Sequence, residues 1–162
     1  MIEVIDNFMP DEHAKKMYDE MMGQDFPWFI TLNVAKKHVE SNDYYFTHVF
    51  YEPKNGIDSS WYEEFILPIK EKLNVKELYR VKGNMYTNQN KFIEHTPHID
   101  FDFEHKGALY CLNTCNGHTN FMGEKVDSVF NRMILFNPTI LHNSTTTTDE
   151  IVRMNINFNY YG

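Results

Sequence analysis

The chain is short of the residues that mark several common classes of protein. Its 162 residues include two cysteines, Cys111 and Cys115. Two thiols cannot form a disulfide framework, and a pair four residues apart is expected to stay reduced in a cytosolic setting. His105 and His118 could complete four ligands with them, but the spacing fits none of the usual zinc patterns. Glycine and proline are scarce, at seven and six. With no linker, no internal repeat and no low-complexity stretch beyond the threonines at 145–148, residues 1–162 read as one domain.

Long apolar runs are also missing. No stretch approaches the roughly 20 residues needed to cross a bilayer, and the opening MIEVIDNFMPDEH lacks the basic start and apolar core of a secretory signal. A cytoplasmic protein without membrane partners is expected. Positive charge is in deficit, with 15 Lys and Arg against 23 Asp and Glu, for a net charge of -8. Affinity for a phosphate backbone comes mostly from Lys and Arg releasing counterions, so general nucleic-acid binding is disfavoured. Basic pairs such as Lys15-Lys16 and Lys36-Lys37 are scattered.

Aromatic residues are abundant, at 15% of the chain, a mix that favours strands over a helical bundle. A short strand is expected at Glu3 to Ile5. Pro10 then suits the start of a helix on which Ala14, Met17, Tyr18, Met21 and Met22 recur at helical spacing. Ser60 and Glu63 form a capping-box pattern for a second helix, with Trp61, Phe65, Ile66, Ile69 and Leu73 on one side and Pro68 positioned to kink or split it. From Tyr79 onward the period changes to two, with turn residues at Asn88 to Asn90, Asn116-Gly117, Gly123 and Asn137-Pro138. Helices followed by an antiparallel sheet or barrel, a mainly β (α+β) class, is the expected order. The segment from Gln24 to Asn55, carrying His38 and His48, has no clear period and is expected to supply loops or strands at the mouth of a cavity.

Two segments carry the chemistry. In His98-Ile-Asp-Phe-Asp-Phe103, a strand would place His98, Asp100 and Asp102 on one face. Near the C-terminus, Arg153, Asn155 and Asn157 alternate with Met154, Ile156 and Phe158. If both polar faces look into water, the protein is a non-catalytic β-sandwich module. If both look inward, the interior is costly to desolvate unless something binds those groups, and a divalent metal with an anionic ligand would do so. His142, beyond the strand-like Met133 to Phe136, is the best-placed third ligand. Two imidazoles and one carboxylate on one face of an octahedral ion leave three positions open, an arrangement associated with Fe(II) oxygenases. Arg153 offers a planar fork for a carboxylate; its alternative is a surface ion pair with Asp149 or Glu150.

The order His98-x-Asp100, His142, Arg153 resembles the signature of the 2-oxoglutarate-dependent oxygenase superfamily. Pro97, Gly117-x-Thr119-x-Phe121, Val126 and Leu135-Phe136 resemble its prolyl-4-hydroxylase branch, as do Val4-Ile-Asp-Asn-Phe8 and Phe26-Pro-Trp28. Leu112-Asn-Thr114 and Asn116-Gly117 are similar to stretches in small members encoded by cyanophages, which would place the protein in a host cytoplasm.

The resemblance covers nearly the whole chain and implies a double-stranded β-helix, jelly-roll or cupin-like, supported by N-terminal helices. It implies Fe(II) on His98, Asp100 and His142, and 2-oxoglutarate on Arg153. Asn84 and Tyr86 are implied as further cosubstrate contacts, and Asn155 and Tyr110 as residues lining the cavity. O2 is the implied oxidant and ascorbate a supporting reductant. A peptide, protein or amino-acid substrate would be hydroxylated with release of succinate and CO2; a nucleic-acid demethylase is the alternative within the superfamily. Ser128 and Asn131-Arg132 stand where prolyl hydroxylases usually show proline and glycine, and Arg153 where they usually show lysine. These departures bear on proline as substrate rather than on the metal site.

Overall fold

The computed structural model describes residues 2–32 and 44–162; His38 and Lys36-Lys37 lie outside them. The first part contains β1 (Glu3–Ile5), α1 (Asp11–Met21), β2 (Phe29–Leu32), β3 (Tyr44–Glu52) and β4 (Gly56–Ile57). A π turn (Tyr62–Ile66) then runs into α2 (Leu67–Lys72). Strands follow: β5 (Glu77–Thr87), β6 (Lys106–Cys111), β7 (His118–Phe121), β8 (Glu124–Asp127), β9 (Arg132–Phe136), β10 (His142–Ser144) and β11 (Val152–Tyr161).

They form two antiparallel sheets, a double-stranded β-helix. The larger has the order β1-β9-β6-β11-β5-β3-β2 with β4 on β3, and the smaller has the order β10-β7-β8. Strands β2 to β4 place most of the described part of the segment before the second helix in the large sheet, with turns between them.

The helices cover one face of the large sheet. On α1 the residues Ala14, Met17 and Met21 are buried, whereas Met22 caps the helix and is 39% exposed. The Ser60–Glu63 capping box does not form: the π turn has no side-chain cap, and the Ser59 carbonyl accepts the Tyr62 N–H instead. Pro68 explains the change. It lies in the first turn of α2 and brings no N–H, so the apolar stripe is split into a π turn and a fresh α-helix. Phe65, Ile66 and Ile69 nonetheless reach the core, with Met154, Ile156 and Phe158 of β11 beneath them. Each such side chain contributes about 1.5–3 kcal/mol by leaving water.

The other face of the large sheet packs on the small one. Leu109, Cys111, Ile134 and Phe136 meet Phe121 and Val126 there, with the Phe121 and Phe136 rings 4.9 Å apart. Beside this second apolar cluster the inward face turns polar.

Candidate metal centre

The segment from His98 to Phe103 is not a strand. His98 makes one antiparallel bridge to His142, with reciprocal N–H to carbonyl bonds of 2.9 Å, and the chain then bends. Beyond that bridge no ladder partner maintains the pleat. Asp100 turns inward, its side chain 4% exposed, while Asp102 points to solvent and takes no part in the site. Phe101 and Phe103 pack on Tyr79, with ring centroids 4.6 and 4.8 Å away.

The bridge brings the two histidines together from distant parts of the chain. One ligand atom from each of His98, Asp100 and His142 lies within 4.8 Å of the others, and His142 Nε2 is 4.0 Å from Asp100 Oδ1. Both imidazoles have Nδ1 against a backbone carbonyl, Thr96 O at 3.3 Å for His98 and Ile140 O at 2.8 Å for His142. An Nδ1–H donated to a carbonyl leaves Nε2 with its lone pair available, the tautomer that binds metal. Burial, then the neighbouring His142, lowers the His98 pKa below its ordinary value, so His98 is neutral at pH 7.

The carboxylate is held as firmly. Asp100 Oδ2 accepts amide bonds from Asn157 at 3.1 Å and Asn159 at 2.8 Å, and Oδ1 faces Arg80 Nη2 at 3.3 Å. Burial alone would push this carboxyl up, but Arg80, His142 and the two amides outweigh it and hold it below the usual carboxylate range. The Asn159 amide also lies 3.2 Å from His105 Nε2. Arg80 and Asn159 were missed in the sequence. Their signal was alternation: Arg80, Lys82, Asn84 and Tyr86 are period-two neighbours on β5, as Arg153, Asn155, Asn157 and Asn159 are on β11.

Arg153 is fully buried and does not pair with Asp149 or Glu150. Its Nη1 donates to Thr145 O at 3.1 Å and its Nη2 to Thr119 Oγ1 at 2.7 Å, while Nε has no partner. Asp149 instead accepts from Asn116 N–H and Thr147 Oγ1. Among the described residues no carboxylate lies within 4.0 Å of this guanidinium, and an uncompensated buried charge is expensive. Its slot depends on Gly117, where a Cβ would lie 2.6 Å from Arg153 Cδ and 2.7 Å from Thr146 O.

Asn84, Tyr86 and Asn155 line a cavity together with His98 and His142, with Thr119, which holds Arg153, and with Ser144 and Asn157. Asn84 donates to Asn155 Oδ1 at 2.9 Å, and the Tyr86 ring faces the Arg153 guanidinium at 5.6 Å. Tyr110 requires a correction. On β6 its parity is that of Ala108, so it points to the helix face, packs near Phe8 and donates to Asn131 Oδ1 at 2.8 Å. Leu109 and Cys111 take the inward positions. The cavity holds ≈ 40 Å3, more than the roughly 10–15 Å3 that a single enclosed water requires on that measure.

The four-residue zinc set does not assemble. Among the described residues the His98, Asp100, His142 group is the only metal-sized cluster, and both cysteines are free and buried. Burial pushes the Cys111 thiol up, which suits a packing role. No helix among the described residues is long and apolar enough to cross a membrane.

No protein-family model matches the sequence, and no curated protein matches it. Solved structures do match across nearly the whole chain. A prolyl hydroxylase from Trichoplax adhaerens, in complex with a hypoxia inducible factor oxygen degradation domain peptide, is 15% identical at a TM-score of 0.68, covering 99% of this chain and 83% of that one. A 2OG-Fe(II) oxygenase family oxidoreductase from Burkholderia pseudomallei is 8% identical at 0.68, covering 99% and 84%. The fold is that of the 2-oxoglutarate and Fe(II) oxygenases. The viral collagen prolyl hydroxylase of Paramecium Bursaria Chlorella virus-1 shares this oxygenase fold, with 13% identity and a TM-score of 0.58 over 99% of this chain and 90% of that one.

Proposed function

We propose that this protein is an Fe(II)- and 2-oxoglutarate-dependent oxygenase that hydroxylates a peptidyl, prolyl-like or amino-acid substrate and releases succinate and CO2. One observation carries the reading: His98, Asp100 and His142 converge within 4.8 Å of one another beside Arg153, a fully buried guanidinium that no carboxylate among the described residues pairs with. The donor set suits the metal, since two imidazole Nε2 atoms and one carboxylate oxygen match the facial triad of non-heme Fe(II). The unpartnered Nε of Arg153 and its planar fork suit the distal carboxylate of 2-oxoglutarate. The metal, with 2-oxoglutarate and O2, supplies the oxidative decarboxylation and oxygen transfer.

The chain's own residues do the positioning. His98, Asp100 and His142 would hold the ion. Thr96 and Ile140 carbonyls fix the imidazole tautomers, and Arg80, Asn157 and Asn159 keep Asp100 ionised and oriented. Arg153 would anchor the cosubstrate at the closed end, flanked by Thr119 and Tyr86, with Asn84 and Asn155 completing the wall. An aspartate at position 100 favours hydroxylation, because a carboxylate occupies the position that a halide would need.

The test is incubation with Fe(II), ascorbate, 2-oxoglutarate and O2 and a panel of proline peptides, amino acids and methylated oligonucleotides. Succinate release and a mass gain of one oxygen on a peptide or amino acid are expected. Product from the oligonucleotides alone would point to a demethylase. A melting temperature indifferent to Mn(II) and 2-oxoglutarate would leave the non-catalytic sandwich, since ligand at a hundred times Kd stabilises by about 2.7 kcal/mol.

A further inference from the structure

Four cationic side chains stand on the inward face of the large sheet: Arg80, Lys82, Arg153 and, paired with Asp6, Arg132. Arg80 is paired with Asp100, and Arg153 meets the distal carboxylate in the function proposed above. Lys82 remains without an anion: among the described residues no carboxylate lies within 4.0 Å of it. Among the described residues its hydrogen bond runs from Nζ to the Tyr45 hydroxyl at 3.1 Å.

Its neighbours define where that ammonium lies. Lys82 shares the face of β5 with Arg80, which touches Asp100, and with Asn84, which lines the cavity. Across the ladder it is paired with Asn157, whose amide holds Asp100 Oδ2. Tyr45, which takes its hydrogen bond, is stacked on Tyr86 at 5.4 Å. On the other side Lys82 is paired with Val49 of β3, beyond which β2 ends the sheet and Phe29 is 62% exposed. Lys82 thus stands where the covered cavity gives way to the open part of the sheet. Arg153 is paired with Tyr86, four residues and about 13 Å further along β5, so the two cations serve opposite ends of the site. Burial, reinforced by Arg80, lowers the Lys82 ammonium to about 8 against the pull of Asp100, which marks how little else compensates it.

We infer that Lys82 is a specificity-determining residue that pairs with a carboxylate on the primary substrate, so the substrate is an organic acid or an acidic peptide rather than a neutral one. The inference rests on the oxygenase reading. A single ammonium beside a tyrosine hydroxyl supplies one point charge and one further donor, enough for one carboxylate. A free amino acid and a peptide carrying Asp or Glu present the same group, and the experiment separates them.

Protein loaded with Mn(II) and 2-oxoglutarate, without O2, is titrated by thermal shift with matched pairs: amino acids against their carboxamides, and peptides with Asp against the same peptides with Asn. The acid of at least one pair is expected to bind ten-fold or more tightly than its amide, with Lys82→Gln erasing the difference and Lys82→Arg retaining part of it. Preference within the amino-acid pairs identifies a free acid, and preference within the peptide pairs an acidic peptide. Lys82→Gln without metal should melt at or above the wild-type temperature, since it removes an unpaired ammonium. Equal binding of acids and amides, or a preference that survives Lys82→Gln, overturns the inference. Loss of 2-oxoglutarate binding in Lys82→Gln would assign the lysine to the cosubstrate, overturning the inference while the oxygenase reading stands. Wild-type protein that binds neither Mn(II) nor 2-oxoglutarate overturns both.

Discussion

The two faces of β11 are equally buried and built by opposite rules. Towards the helices, Met154, Ile156 and Phe158 are fully buried and apolar; towards the small sheet, Arg153, Asn155, Asn157 and Asn159 are no more than 9% exposed and polar. Burial on the first face stabilises the fold by removing apolar surface from water. On the second it stabilises little by itself, and Arg153 Nε and Asn157 Oδ1 are left without a partner. One strand therefore separates the part of the molecule that keeps it folded from the part that, in the proposed function, gains stability when ligands arrive.

Substitutions on the two faces should separate along those lines. The largest expected effect is on the polar face: His98→Ala should reduce succinate formation to background while the metal-free melting temperature stays near wild type, because neutral His98 has no strong partner to lose. Residual activity above a few per cent would remove His98 from the metal site. Next comes the apolar face, where Phe158→Ala should cost about 3–5 kcal/mol in chemical denaturation. The fraction still folded should bind Mn(II) as before; an affinity that falls with stability would mean that the faces are coupled. Arg153→Met should raise the 2-oxoglutarate KM roughly a hundred-fold, about 2.7 kcal/mol, without abolishing Mn(II) binding. Asn159→Ala removes one donor from Asp100 and should weaken Mn(II) about ten-fold, in the range known for groups that orient metal ligands.

The smallest effect is on pH. His13, His48, His98 and His118 all have pKa values lowered first by burial, from an ordinary 6.5. A base with a depressed folded pKa binds protons more readily when unfolded, so stability is full above the unfolded value and declines as pH falls below it. The metal-free melting temperature should drop as pH falls through about 6.5, a window below that in which Lys82, lowered to about 8, sheds its proton and makes stability rise with pH. A rise as pH falls through about 6.5 would contradict the neutral state assigned to these imidazoles.

Much of this was legible in the sequence because period-two alternation is a direct record of which side of a sheet is covered. It placed Arg153, Asn155 and Asn157 on one face, and the turn residues gave the strand breaks after Tyr86. Alternation misled where no ladder exists: the His98 to Phe103 segment has one bridge and a bend, so Asp102 departs from the face that His98 and Asp100 share. Tyr110 was misjudged because both faces of β6 are buried, and a fully covered strand carries no polar side to mark its parity. The failed capping box has a different cause: Pro68, eight residues beyond Ser60, sets the geometry of the turns before it. Arg80 escaped notice because its partner Asp100 is twenty residues away, in a segment with no regular structure.

The bare position at Gly117 shows how a residue can govern a ligand it never meets. No larger side chain fits there without pushing Arg153 out of its channel, so Gly117→Ala should mimic loss of the guanidinium in a saturation scan. The smallest residue in the chain and one of the longest act as a matched pair, and anyone redesigning the closed end of this barrel must change both or neither.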